Sequence, residues 1–249
     1  IMRNIKLTIE YDGKDFNGWQ KQPGKLNIQG EIERAIKCIT KEDVELYASG
    51  RTDAGVHSFG QVANFKTNSN IPISKMALAI NSQVKNSIRI VKAEEVDENF
   101  HSRYCCKRKT YRYVINNSVC GSSIYRNLEY HMPIKLDVDK MKKAIKYFEG
   151  EHDFKAFTTA KKNKSTERTI KRINIQYEGT RAYIRIEADD FLLGGRDPAF
   201  QGATVVQLLV DLAFFLEDLL DFVQEQDDPR ALVHLVFAGV VFFNGFDHV

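Results

Sequence analysis

Ser49-Gly50-Arg51-Thr52-Asp53-Ala54-Gly55-Val56-His57 lies between two runs in which apolar residues alternate. Upstream is Val44-Glu45-Leu46-Tyr47-Ala48, and downstream is Gln61-Val62-Ala63-Asn64-Phe65. Period 2 predicts a strand on each side, which makes the nonapeptide a connecting loop. The loop places one arginine two residues before one carboxylate. Gly50 and Gly55 flank them and allow backbone shapes and close approaches that a Cβ forbids. Asp53 can serve as nucleophile, general base or hydrogen-bond acceptor. Arg51 can either hold Asp53 ionised or clamp a phosphate. Asp-x-Gly alone is common turn chemistry, so the information lies in the whole nonapeptide.

Working outward, Lys6-Leu7-Thr8-Ile9-Glu10-Tyr11 predicts a first strand, broken by Asp12-Gly13. The only tryptophan follows in Gly18-Trp19-Gln20, and we read it as a core anchor rather than a base-stacking residue. Ile28, Ile32, Ala35 and Ile36 have helical spacing. A second helix is expected over residues 74–82, capped by Ser74, and a strand over 88–93. Lys107-Arg108-Lys109-Thr110-Tyr111-Arg112-Tyr113-Val114-Ile115 is basic and aromatic. Alternation places Tyr111, Tyr113 and Ile115 on one strand face, with Arg112 and Val114 on the other. Basic groups beside rings suit nucleic acid; an exposed basic turn before a half-buried strand accounts for the same pattern. Residues 137–147 read as a helix with Met141, Ile145 and Phe148 on one face. His152 and Asp153 read as hydrogen-bonding residues that fix a loop. The polar run Lys161-Lys162-Asn163-Lys164 precedes strands 170–177 and 182–188, joined by Glu178-Gly179-Thr180.

The Asp53 stretch, continued by Gly60-Gln61-Val62 and Phe65, resembles the signature of the tRNA pseudouridine synthase A (TruA) family. Tyr11-Asp12-Gly13, Gly18-Trp19-Gln20 and Gln29-Gly30 resemble its N-terminal pattern. Phe100-His101-Ser102-Arg103, the basic run with Tyr111-Arg112-Tyr113, and Gly150-Glu151-His152-Asp153-Phe154 continue it. The likeness runs from residue 3 to about 188. Beyond it Phe191 and Leu192 are kept, while the family's Met-Val-Arg is absent and Arg196 stands nearby. Apolar patterning over 203–223 still predicts a helix, and 236–243 a last strand.

The resemblance implies an α+β fold of two similar halves, residues 1–105 and 106–249. They would share a mixed, mainly antiparallel sheet with a central catalytic cleft. It implies isomerisation of uridine to pseudouridine in the anticodon stem-loop of tRNA, at positions 38–40. Asp53 would be the catalytic residue and Tyr111 would pack against the target base. Arg51 would organise Asp53 and either replace the flipped base or touch a phosphate. Lys107, Arg108, Lys109, Lys161, Lys162 and Lys164 would face RNA. A homodimer with tRNA lying across both subunits is also implied. The isomerisation needs no net redox change and no external group, so no cofactor or metal is expected.

Composition sets outer bounds. The chain has 249 residues, 43% hydrophobic and 28% charged, as in an ordinary globular protein. No apolar run approaches the roughly 18 residues of a membrane span, and the N-terminal residues lack a signal-peptide core. Cys38, Cys105, Cys106 and Cys120 fit neither a zinc set nor a disulfide framework, which favours a reducing cytoplasm. The net charge of +3 is uneven. Residues 187–249 hold two basic and twelve acidic residues, which leaves 34 basic and 21 acidic residues in 1–186. A basic body suits a polyanion. Two other functions fit less well. A non-catalytic RNA-binding relative has no need of an intact Asp53, Arg51 and Tyr111. A glycoside hydrolase normally opposes two carboxylates, and no partner to Asp53 is evident.

Overall fold

Strand β1 (Arg3–Tyr11) buries Ile5, Leu7, Ile9 and Tyr11, the every-second-residue set that period 2 predicts. In this computed structural model the described residues are 2–153, 167–188 and, as backbone only, 240–243. After β1 come helix α1 (Ile28–Thr40), strands β2 (Tyr47–Ala48) and β3 (His57–Thr67), helix α2 (Ile73–Asn81) and strand β4 (Ile88–Val96). Strand β1 pairs antiparallel with both β3 and β4, and β2 pairs antiparallel with β3. Helix α1 covers this sheet through Ile28, Ile32 and Ile36, all fully buried beside Trp19 and Phe65. Asn27 caps it by accepting from the Gly30 amide at 2.8 Å. Trp19 is 2% exposed, a core anchor as the sequence suggests.

The chain divides between Lys107 and Arg108 into two compact units. The second holds β5 (Lys109–Asn116), β6 (Tyr130–His131), α3 (Val138–Ala144), β7 (Gly150–Asp153), β8 (Glu167–Glu178) and β9 (Arg181–Ala188). Its strand order is β5-β9-β8-β7, all antiparallel, with β6 parallel to β5. Met141 and Ile145 pack with Ile173, Ile175 and Ile184. Tyr113 and Ile115 enter the same core, and Tyr111 packs against it. A last strand, β10 (Val240–Phe243), runs parallel to β3 through Val241↔His57 and Phe242↔Ser58. The architecture is α+β, with mixed, mainly antiparallel pairing.

Several local expectations are corrected. Of residues 44–48 only Tyr47 and Ala48 pair as strand. The Leu46 amide instead donates to Glu33 Oε1 (3.2 Å), so a helix side chain replaces the ladder partner. Helix α2 begins at Ile73 after Pro72, and Ser74 is not its cap. The third helix ends at Ala144 and tightens into a 3₁₀ turn, Ile145–Tyr147. His152 and Asp153 sit in β7, paired with Arg168 and Glu167, rather than in a loop. That strand has no apolar alternation to reveal it, because all four of its residues are exposed. The expected 203–223 helix, Phe191, Leu192, Arg196 and residues 236–239 lie outside the described residues.

Candidate active site

The Asp53 loop enters from β2 and leaves into β3, and β1 and the segment after it hold it from the side. Ser49 N–H donates to the Val62 carbonyl (2.8 Å), closing the loop at its base. Gln61, fully buried, donates from Nε2 to the Gly50 carbonyl (2.6 Å) and accepts at Oε1 from the Ser49 hydroxyl (2.8 Å). Tyr11 Oη and Thr52 Oγ1 lie 2.6 Å apart, both buried. Burial pushes the Tyr11 phenol far above its ordinary range, against the pull of its hydrogen bonds to Thr52, Ser58 and Gln61. Tyr11 therefore stays a neutral hydroxyl group and anchors Thr52, the residue before Asp53.

The backbone is gripped as well. Trp19 N–H donates to the Thr52 carbonyl (2.9 Å) and Gly55 N–H to the Phe16 carbonyl (3.3 Å). Within the loop, Val56 N–H reaches the Asp53 carbonyl (3.1 Å). Buried His57 places Nδ1 3.0 Å from Asp12 Oδ1 and 3.3 Å from the Gly13 amide. Gly13 and Gly18 press against the loop closely enough to exclude a side chain. A Cβ on Gly13 would stand 1.9 Å from the Val56 carbonyl oxygen, and one on Gly18 2.6 Å from that of Thr52. Gly55 lies in the left-handed region, at φ 80°, with open space around it. Gly50 has no positive φ, and its part is to offer a carbonyl to Gln61.

Asp53 is half-buried on this clamped loop. Burial alone pushes its carboxyl from the ordinary 3.8 up to about 7. Arg51 is exposed, and no ion pair joins it to Asp53 among the described residues. Of the two tasks open to Arg51, holding Asp53 ionised is not performed here. A carboxyl poised near neutrality suits a general base or nucleophile.

The other sequence-derived residues lie elsewhere. Tyr111 stands in β5 of the second unit, opposite Ile186 of β9. Arg108 makes an ion pair with Glu187 (3.0 Å), Lys107 is exposed and Lys109 half-buried. Lys161, Lys162 and Lys164 lie outside the described residues. Phe100-His101-Ser102-Arg103 is fastened by two asparagines. Asn64 accepts from the Ser102 amide (2.8 Å), and Asn4 donates to the Phe100 carbonyl (2.9 Å). Sequence reading assigned no task to Tyr11, Thr52, Asn4 or Asn64. Tyr11 continues the buried alternation of β1, whereas Asn4 and Asn64 lie on the strand faces opposite the apolar sets and Thr52 lies in the loop, so alternation gives no sign of their hydrogen bonds. Among the described residues no group of three His, Cys, Asp or Glu converges as a metal ligand set.

A half-buried carboxyl pushed up by desolvation, on a loop seated by close glycine contacts, is an arrangement that suits a carboxylate-centred enzyme. Residues 7–105 and 144–195 match the model of the tRNA pseudouridine synthase family. The chain is 52% identical over 192 residues to tRNA pseudouridine synthase A 2 of Clostridium perfringens, covering 77% of this chain and 79% of that protein. With the same coverage it is 48% identical to tRNA pseudouridine synthase A of Caldicellulosiruptor bescii and 46% to that of Acetivibrio thermocellus. The chain belongs to the tRNA pseudouridine synthase family and has its fold; it is an isomerase of uridine in tRNA.

Proposed function

We propose that this chain isomerises uridine in the anticodon stem-loop, at positions 38–40, with Asp53 as the catalytic carboxylate. The reaction breaks the C1′–N1 bond, turns the uracil and joins C1′ to C5. The C5 proton is then lost and N1 gains one, so substrate and product are isomers and nothing external is consumed. The target base must leave the stack, at a cost of a few kcal/mol that binding along the arm offsets. The observation that carries this reading is Asp53 itself: half-buried, poised near neutrality, on a loop clamped from both sides. Arg51, exposed beside it, contacts a phosphate or fills the place of the flipped base. Tyr111 stacks on the uracil. Lys107, Arg108, Lys109 and the Lys161, Lys162 and Lys164 run lie along the RNA. The protein acts in the cytoplasm as a homodimer that tRNA spans. Its four cysteines, at spacings that suit no disulfide framework, fit a reducing compartment.

The test is to incubate the protein with unmodified tRNA and map pseudouridine base by base, with light scattering to give the subunit number. Product confined to another arm would remove the anticodon assignment. A monomer with full activity would remove the dimer.

A pH profile follows from the raised carboxyl. Asp53 must be ionised to act as nucleophile or base, and kcat/KM reports groups in the free enzyme. The expected result is a rise with pH, about tenfold per pH unit below the carboxyl's value, bending near pH 7. A bend near pH 4 would mean that Asp53 is solvated or charge-paired in solution.

A further inference from the structure

Gln61 of β3 is fully buried, and period 2 puts it on the strand face it shares with Ala63 and Phe65 of the core. An apolar side chain is the less costly occupant of such a position, since a buried amide is unfavourable unless it is hydrogen-bonded. Both ends of this amide are directed to the loop that carries Arg51 and Asp53. Nε2 donates to the Gly50 carbonyl (2.6 Å), and Oε1 accepts from the Ser49 hydroxyl (2.8 Å). Ser49 N–H donates to the Val62 carbonyl (2.8 Å), so β3 grips residues 49 and 50 at three points.

The bond to the Gly50 carbonyl acts directly on Arg51. A peptide unit is planar, so the Gly50 carbonyl lies in one plane with the Arg51 N–H and Cα. Holding the carbonyl fixes where the Arg51 backbone sits and the direction in which its side chain leaves the loop. The Thr52–Asp53 peptide is held in the same way by a different group, Trp19 N–H on the Thr52 carbonyl (2.9 Å). Arg51 and Asp53 thus each have an anchor one peptide upstream. Arg51 depends on its anchor, because its exposed side chain has no ion pair with Asp53 among the described residues to steady it.

We propose that Gln61 is a positioning residue for Arg51, aiming its guanidinium at the RNA through the Gly50 carbonyl. The proposal rests on Arg51 meeting the RNA, as in the functional reading above. The Tyr11 hydroxyl, which holds Thr52, also hydrogen-bonds to Gln61. The two anchors therefore touch, and a pH profile tells an effect on Arg51 from one on Asp53.

The test compares the full chain with Gln61→Met, Ser49→Ala and Arg51→Ala, each checked by thermal melting. Methionine keeps the length and burial of Gln61 and removes its hydrogen bonds to Ser49 and Gly50. Ser49→Ala frees only the Oε1 end, and serves in place of a methionine variant that does not fold. Affinity for unmodified tRNA and the single-turnover rate of pseudouridine formation are measured separately, and kcat/KM is followed against pH. Gln61→Met should lose about ten- to a hundredfold in whichever of affinity and rate Arg51→Ala lowers. Ser49→Ala should lose about two- to fivefold in the same quantity. The bend of kcat/KM near pH 7 should stay in place in both. A folded Gln61→Met with wild-type affinity and rate overturns the proposal, and so does a loss in the quantity that Arg51→Ala leaves alone. A bend displaced toward pH 4 would assign Gln61 to Asp53 and overturns it as well. Wild-type behaviour in Arg51→Ala removes the residue through which Gln61 is to act. Pseudouridine is scored in the wild-type samples. Its absence faults the functional reading, whereas its presence with an unaffected Gln61→Met faults the positioning role alone.

Discussion

Asp53→Asn should abolish pseudouridine formation and at the same time make the protein harder to unfold above pH 7. The amide keeps the carboxylate's size but cannot act as an anionic nucleophile or base. The stability gain follows from linkage. Asp53 titrates near 7 when folded and at 3.8 ordinarily, so between those values the native state binds more protons than the unfolded chain. Stability therefore falls as pH rises from about 4 to about 7 and stays low above that. At about 1.4 kcal/mol per pH unit the ceiling is near 4 kcal/mol. Asp53 keeps contact with solvent, which screens its charge, so about 1–3 kcal/mol is expected. The substituted amide carries no charge to desolvate, so the gain appears at pH 8 and vanishes at pH 4. Paired melts at the two values and one modification assay decide it. Near-normal turnover would sink the catalytic assignment of Asp53. Equal melting at both values would mean that its carboxyl is not desolvated.

Gly13→Ala should cost at least about a hundredfold in rate while the chain still folds. The added methyl meets the backbone carbonyl of Val56 at 1.9 Å, an obstacle that no rotamer change removes. Overpacking of this kind costs about 1–3 kcal/mol. The segment carrying Gly13 or the loop carrying Asp53 must move. A displacement near 1 Å is enough for a loss of about 10² in a positioned reaction. Gly18→Ala should behave alike, since its Cβ meets the Thr52 carbonyl at 2.6 Å and its φ is 80°. Gly55→Ala is the contrast. It shares the positive φ but has open space, so it should cost only about 1–2 kcal/mol of backbone strain and leave the loop in place. Full activity in Gly13→Ala would show that the reaction does not depend on how this segment seats the loop.

Much of this was legible in the chain of residues. Strand β1, helix α1 and the paired strands β8 and β9 declare themselves because one face of each is buried, and burial imposes a period of 2 or 3.6 on the apolar residues. The nonapeptide singled out Asp53 through its resemblance to a family signature, since its local chemistry alone also fits a turn, and Trp19 marked the core. Where burial does not impose a pattern, the sequence said less. The four exposed residues of β7 read as loop, and residues 44–46 read as strand although Glu33 takes the Leu46 amide.

The properties of the site belong to tertiary structure. No local rule says that Gly13 and Gly18 abut the Asp53 loop, because the contacts join segments about 35–45 residues apart. Nor does composition say that Arg51 makes no ion pair with Asp53 among the described residues, since that depends on which way two side chains leave a turn. The titration of Asp53 is the clearest case. An aspartate in a sequence is a group of ordinary pKa. It moves to about 7 only when β1, β3 and the Asp12–Trp19 segment fold around it and remove much of its water. The residues supply the carboxylate, and desolvation by the assembled unit sets the pH at which it works.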